Sequence, residues 1–170
     1  DNRMIVNIGK NSHSITDHTQ SNWNGIIGDI HLQMEPLIYI EDIHIFPNIG
    51  QKKARVEIRI QNDSKEPYEG KIILQARSKH SHMSLELQKI SKEFPADTAI
   101  TLKVDYPMGK DPLLWSEFQP RLYSMQVRLS GGNSVKDKDS VTFGMREFTV
   151  DGTRFAINGR PIYLRGTLEC

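Results

Sequence analysis

Polar and apolar residues alternate along most of this chain with a period of two. Arg55-Val56-Glu57-Ile58-Arg59-Ile60-Gln61 alternates without error, placing Val56, Ile58 and Ile60 on one face and the charges on the other. Successive side chains of a strand point to opposite faces, so such a run predicts an antiparallel strand with one buried side. The same alternation recurs at Ile72, Leu74 and Ala76; at Leu85 and Leu87; at Ile100, Leu102, Val104 and Tyr106; at Tyr123, Met125, Val127 and Leu129; and at Val141 and Phe143. One more strand is expected over Ile43–Phe46. Turn-forming runs separate these segments: Asn62-Asp63-Ser64 through Pro67, Pro95-Ala96-Asp97, Pro107-Met108-Gly109 and Gly131-Gly132-Asn133. Helical periodicity is confined to a short turn around Leu113–Phe118. The expectation is an all-β chain, with about seven strands in an immunoglobulin-like antiparallel sandwich.

The two ends depart from this regularity. Ile38 and Ile40 lie in even phase, Ile43 and Ile45 in odd phase. A slip of one residue flips every side chain to the other face, so it marks a bulge or a change of sheet. It is read here as a boundary near Pro36, with Met4–Ile8 and Ile26–Leu32 in an earlier sheet. At the other end Phe148-Thr149-Val150 precedes Asp151-Gly152, a type I′ hairpin signal. Phe155-Ala156-Ile157, Asn158-Gly159 and Pro161–Leu164 then read as a second tight hairpin. Its apolar last strand runs straight to Cys170, which points to a piece of a longer chain.

Composition narrows the function classes. Twenty-two Lys+Arg against twenty-one Asp+Glu leave a net charge of +1, which removes the bulk electrostatic case for nucleic acid or an anionic membrane. No apolar run approaches the roughly 18 residues of a spanning helix. The single cysteine, Cys170, cannot close an internal disulfide or build a cysteine zinc site. There is no phosphate-cradling glycine loop, Ser/His/Asp spacing or CxxC, so no cofactor is expected.

An ordered series of short motifs carries a resemblance. Trp115, Pro120, Leu122 and Tyr123 stand as Trp-x4-Pro-x-Leu-Tyr, followed by Phe143-Gly144-Met145-Arg146 and then Asn158-Gly159-Arg160-Pro161-Ile162-Tyr163-Leu164-Arg165-Gly166. Upstream stand Asp1-Asn2 and Asn22-Trp23-Asn24-Gly25-Ile26-Ile27-Gly28-Asp29-Ile30. In this order they resemble glycoside hydrolase family 2, the family of β-galactosidases, β-glucuronidases and β-mannosidases. The resemblance implies a jelly roll, a sandwich and a (β/α)8 barrel in succession. Residues 1–35 would then be the tail of the sugar-binding jelly roll, 36–148 the sandwich, and 149–170 the start of the catalytic barrel. Retaining glycosidases use two carboxylates about 5–5.5 Å apart, and in this family both are glutamates at the C-terminal ends of later barrel strands. Glu169 matches neither motif, so no catalytic residue is expected in this chain. Thr167-Leu168-Glu169-Cys170 also departs from the family pattern, in which Arg-Gly is followed by Val or Thr, then Asn and a pocket His.

Two residues are candidates for substrate binding. By the resemblance, Asp17 falls where an aspartate reaches from the jelly roll into the active site and binds a sugar hydroxyl, a charge-assisted contact; its plain alternative is an Asx-turn or helix cap. Trp23 could stack on the apolar face of a pyranose. Trp115 is expected to pack the sandwich edge, Tyr123 to act as a tyrosine corner, and Arg146 to hold the next domain by ion pairing. His13, His18 and Asp17 superficially resemble a metal cluster, as does His80-Ser81-His82. Neither offers three pre-arranged ligands, and no metal site is expected. Asn62-Asp63-Ser64 satisfies the N-glycosylation sequon.

The sequence is therefore read as a non-catalytic accessory segment of a family 2 glycoside hydrolase. The parent would hydrolyse terminal β-glycosides with retention, β-galactosides first, and its jelly roll and barrel would be partners in cis. A stand-alone carbohydrate-binding or adhesion module is the rival, and a purely structural interaction domain a third reading. Periplasmic or secreted localisation follows by family analogy only.

Overall fold

The computed structural model describes residues 26, 28–32, 34–131 and 134–168. The chain divides into two units, residues 1–34 and 35–170, and every described strand belongs to the second. Seven strands build two layers: β1 (Ile38–Asn48), β2 (Lys53–Asn62), β3 (Tyr68–Ser78), β4 (Gln88–Phe94), β5 (Thr98–Pro107), β6 (Tyr123–Gly131) and β7 (Ser134–Phe143). One sheet has the order β1-β2-β5, the other β4-β3-β6-β7. All pairings are antiparallel, giving the sandwich architecture that the alternation predicts. A separate meander, β8 (Phe148–Asp151), β9 (Arg154–Ile157) and β10 (Arg160–Ile162), follows.

The core lies where the inward phases meet. Val56, Ile58 and Ile60 of β2 have no exposed surface, and neither do Ile72, Leu74 and Ala76 of β3 or Met125, Val127 and Leu129 of β6. Each Val, Ile, Leu or Met among them withdrawn from water contributes about 1.5–3 kcal/mol. Tyr123, at the start of β6, is buried, and its hydroxyl accepts a hydrogen bond from Leu113 N–H at 2.7 Å. That is the tyrosine-corner arrangement, a phenol tying its strand to backbone upstream. Tyr106 plays a second such part across the layers. From β5 its hydroxyl accepts from Ala76 N–H of β3 (3.0 Å) and donates to Glu86 C=O (2.6 Å).

One buried polar side chain closes the end of the sandwich. Asn62 continues the inward phase of β2 and has no exposed surface. Its amide donates to the carbonyls of Glu66 (3.1 Å), Phe94 (3.1 Å) and Pro95 (3.0 Å). Its Oδ1 accepts from the Ser64 N–H (3.0 Å) and hydroxyl (2.6 Å). Asn62 thereby satisfies two loops at once, and the sequon it heads is sealed in the folded chain.

Several expectations are corrected. The phase slip is a bulge inside β1: Ile40 pairs with Ile60 and Asp42 with Arg59, leaving Glu41 unpaired in the ladder. The extra residue resets the alternation, so that Ile40 and Ile43 both face the core. The bulge is fastened by Ile40 N–H donating to Asp137 Oδ2 of β7 at 2.7 Å. In the stretch Ile26–Leu32, assigned to an earlier sheet, none of the described residues is in a strand, and Ile30 and Leu32 are exposed. Met4–Ile8, expected in the same sheet, lies outside the described residues. The strand expected at Leu85 and Leu87 is displaced to β4, whose register sets Ile90 against Ile72 and Phe94 against Tyr68. Its Lys89, Ser91, Lys92 and Glu93 are the polar residues of an edge strand, which hide the period. The turn over Leu113–Phe118 is not helical; Leu114 instead bridges Met145, and Ser116 and Gln119 close a tight loop. The motif Phe143-Gly144-Met145-Arg146 is read from the sequence as the last sandwich strand, but β7 stops at Phe143, and Gly144-Met145-Arg146 lie beyond it. In the meander Asp151 pairs with Arg154, which centres the first turn on Gly152-Thr153 rather than Asp151-Gly152. Glycine takes the left-handed place there, with φ 60°.

Candidate functional site

The described residue chemistry concentrates where the sandwich hands over to the meander. Trp115 sits in the loop before β6, and its N–H donates to Met145 C=O at 2.9 Å. This holds the loop against the segment that leaves β7. Gly144 lies flat beneath the indole: a Cβ there would come within 2.8 Å of Trp115 Cβ and 2.9 Å of Cγ. These atoms lie near the backbone and cannot swing aside, so the position requires glycine. Arg146 places its guanidinium 4.6 Å from the Trp115 ring centroid. This is a cation–π contact, in which the cation meets the negative face of the ring.

The meander is fastened to the same point. Ile157 pairs with Arg160 across the two-residue turn Asn158-Gly159, with φ 52° and 76°, the left-handed pair of a type I′ turn. Asn158 N–H donates to Glu147 C=O (2.9 Å), and Glu147 N–H returns a bond to Asn158 Oδ1 (2.9 Å). Asn158 Nδ2 donates to Trp115 C=O at 2.9 Å. Trp115 is thus bonded through its N–H to the sandwich exit and through its carbonyl to the meander. Beyond this point the meander leaves Phe148, Val150, Phe155, Tyr163 and Leu164 exposed.

Asp17 and Trp23, the substrate-binding candidates, lie outside the described residues, as do His13, His18 and Glu169. His80 and His82 are exposed in the loop after β3, not on a strand face. Among the described residues no three His, Cys, Asp or Glu side chains converge as a metal site would need. Troughs on the outer face of the four-stranded sheet are lined by Gln126, Arg128, Lys138 and Ser140 on one side and Lys71, Ser91 and Ser130 on the other. These are shallow surfaces between solvated side chains. Among the described residues, the geometry builds a joint between the sandwich and the meander. The sequence motifs mark Trp115 and Arg146, but the part played by Asn158 is hidden behind its ordinary turn signal.

Comparison with known proteins agrees with this picture. The family model for glycosyl hydrolases family 2 matches residues 38–146. A β-galactosidase of Thermoanaerobacter pseudethanolicus is 28% identical over 147 residues, covering 85% of this chain and 19% of that protein. A β-glucuronidase of Mus musculus is 26% identical, over 85% of this chain and 21% of that protein. The solved structure of Bacteroides uniformis β-glucuronidase 2 superposes with a TM-score of 0.65 at 22% identity, covering 78% of this chain and 17% of that one. That likeness shows a shared fold. The chain spans about a fifth of the length of these curated relatives.

Proposed function

This chain belongs to glycosyl hydrolases family 2, and on that premise we propose that it is the sandwich-centred accessory segment of a β-glycosidase. The supporting observation is one of extent: the family match runs from β1 to Arg146, while the chain spans only a fifth of its relatives. Residues 36–148 are the sandwich in this reading. Residues 1–35 close a sugar-binding jelly roll, and 149–170 open a catalytic barrel. Chemistry belongs to the barrel. The sandwich holds the two neighbours at a fixed separation, so that the loop bearing Asp17 closes one side of the pocket; Trp23 is the second substrate-binding candidate. Such placement matters because about 1 Å of error at a reacting group can cost roughly a hundredfold in rate.

The parent reaction is retaining hydrolysis of a terminal β-linked sugar, with β-galactoside the first choice and β-glucuronide and β-mannoside behind it. The test is to offer chromogenic forms of all three to the full-length protein and to follow the anomer first released by NMR. Turnover of the β-galactoside with the β anomer as first product is expected. Release of the α anomer, or no turnover of any of the three, would refute the reading.

A further inference from the structure

We propose that Asn158 is a positioning residue, the latch through which the sandwich sets the orientation of the segment that follows it. The proposal rests on reading residues 149–170 as the start of the barrel, and it begins from an interrupted ladder. β8 and β9 pair from Asp151↔Arg154 back to Phe148↔Ile157, so the next rung would be Glu147 with Asn158. Asn158 starts the type I′ turn with φ 52°, which rotates its backbone out of the strand conformation. Its N–H still reaches Glu147 C=O, but Glu147 N–H finds the side-chain Oδ1 instead of a backbone carbonyl. The side-chain amide completes the rung.

The other half of that amide does something no turn requires. Nδ2 donates to Trp115 C=O at 2.9 Å, across 43 residues of chain. Trp115 in turn is fixed by Met145 C=O, by the Arg146 guanidinium and by the close approach of Gly144. One half-buried side chain therefore joins the β9–β10 turn both to the sandwich exit and to the loop before β6. Among residues that tolerate a left-handed backbone, glycine offers neither bond, and aspartate offers the acceptor for Glu147 without the donor for Trp115. Asparagine alone of the three supplies both.

The consequence is a division of effects. With the latch released the sandwich core is untouched, because no core residue bonds to Asn158. What changes is the angle between sandwich and meander. In the parent, both catalytic carboxylates lie in one domain and keep their spacing, while Asp17 approaches from another domain and loses its place. Binding suffers rather than the bond-breaking step.

Asn158→Gly preserves the turn and deletes both side-chain bonds; Asn158→Asp restores only the acceptor. In this chain carrying Trp23→Phe, Asn158→Gly is expected to speed amide exchange at Glu147 roughly tenfold, the size of one net hydrogen bond, and to shift Trp115 fluorescence. The melting temperature of the sandwich should stay within about 2 °C. Asn158→Asp should recover the Glu147 protection and not the Trp115 emission. In the full-length protein Asn158→Gly is expected to raise KM roughly tenfold with kcat nearly unchanged. Wild-type exchange and emission in Asn158→Gly, a general fall in melting temperature, or a loss confined to kcat would each overturn the proposal. A full-length protein without turnover would defeat the glycosidase reading instead, and the exchange and fluorescence results would still decide the latch.

Discussion

Replacing Asn62 with alanine is expected to remove about 3 kcal/mol of stability and to lower the melting temperature by roughly 10 °C. The side chain is fully buried and joins three backbone carbonyls to the Ser64 N–H and hydroxyl. Truncation leaves several of these groups without partners in a site that water enters only by loosening both loops, and each orphaned group costs about 1–3 kcal/mol. The neighbouring Gln61 makes one exposed contact, to Asp63, so Gln61→Ala should fall within about 0.5 kcal/mol of wild type. Urea titration of both variants reads the difference. Equal stability of the two would mean that Asn62 does not close the sandwich.

Tyr106→Phe is expected to cost about 2–3 kcal/mol by the same logic, since it orphans Ala76 N–H and Glu86 C=O together. β4 ends its pairing at Leu74↔Gln88; beyond that point Leu85 N–H serves the Ala76 carbonyl, and the phenol takes the Ala76 N–H. The same hydroxyl makes stability depend on alkaline pH. Burial raises the Tyr106 pKa above the ordinary 10.0, and burial acts likewise on Tyr68 and Tyr123. Between the unfolded value of about 10 and the raised folded value, the native state binds more protons than the unfolded state. Stability is therefore fully present below about pH 10 and falls as pH rises through the folded values. Denaturation followed from pH 8 to 11 should show this decline, shallower in Tyr106→Phe than in wild type. An unchanged slope in the variant would contradict it.

These two residues also show what the sequence discloses. β2 and β6 are legible because both alternate without interruption and bury every inward position. Asn62 could have been singled out by the same rule, as a polar residue standing in the inward phase immediately after Ile60. The strand β4 was not legible, because an edge strand with Lys89, Ser91, Lys92 and Glu93 shows too little of its apolar period. The bulge at Glu41 and a change of sheet look alike in one dimension, and only the pairing of Asp42 with Arg59 separates them. Motif order located the joint at Trp115 and Arg146 but did not disclose the contact between them, since a guanidinium serves a carboxylate and an indole equally well. Asn158-Gly159 was legible as a turn and mute about Trp115, because a bond across 43 residues leaves no local trace.

The account rests on this polypeptide supplying position while another domain supplies the reacting carboxylates. The most direct measurement is the rate at which the pure 170-residue chain hydrolyses a chromogenic β-galactoside at saturating substrate, beside the full-length protein at equal molarity. The account predicts a rate for the chain indistinguishable from buffer. Hydrolysis by the chain alone, proportional to its concentration and abolished by heating, would contradict it.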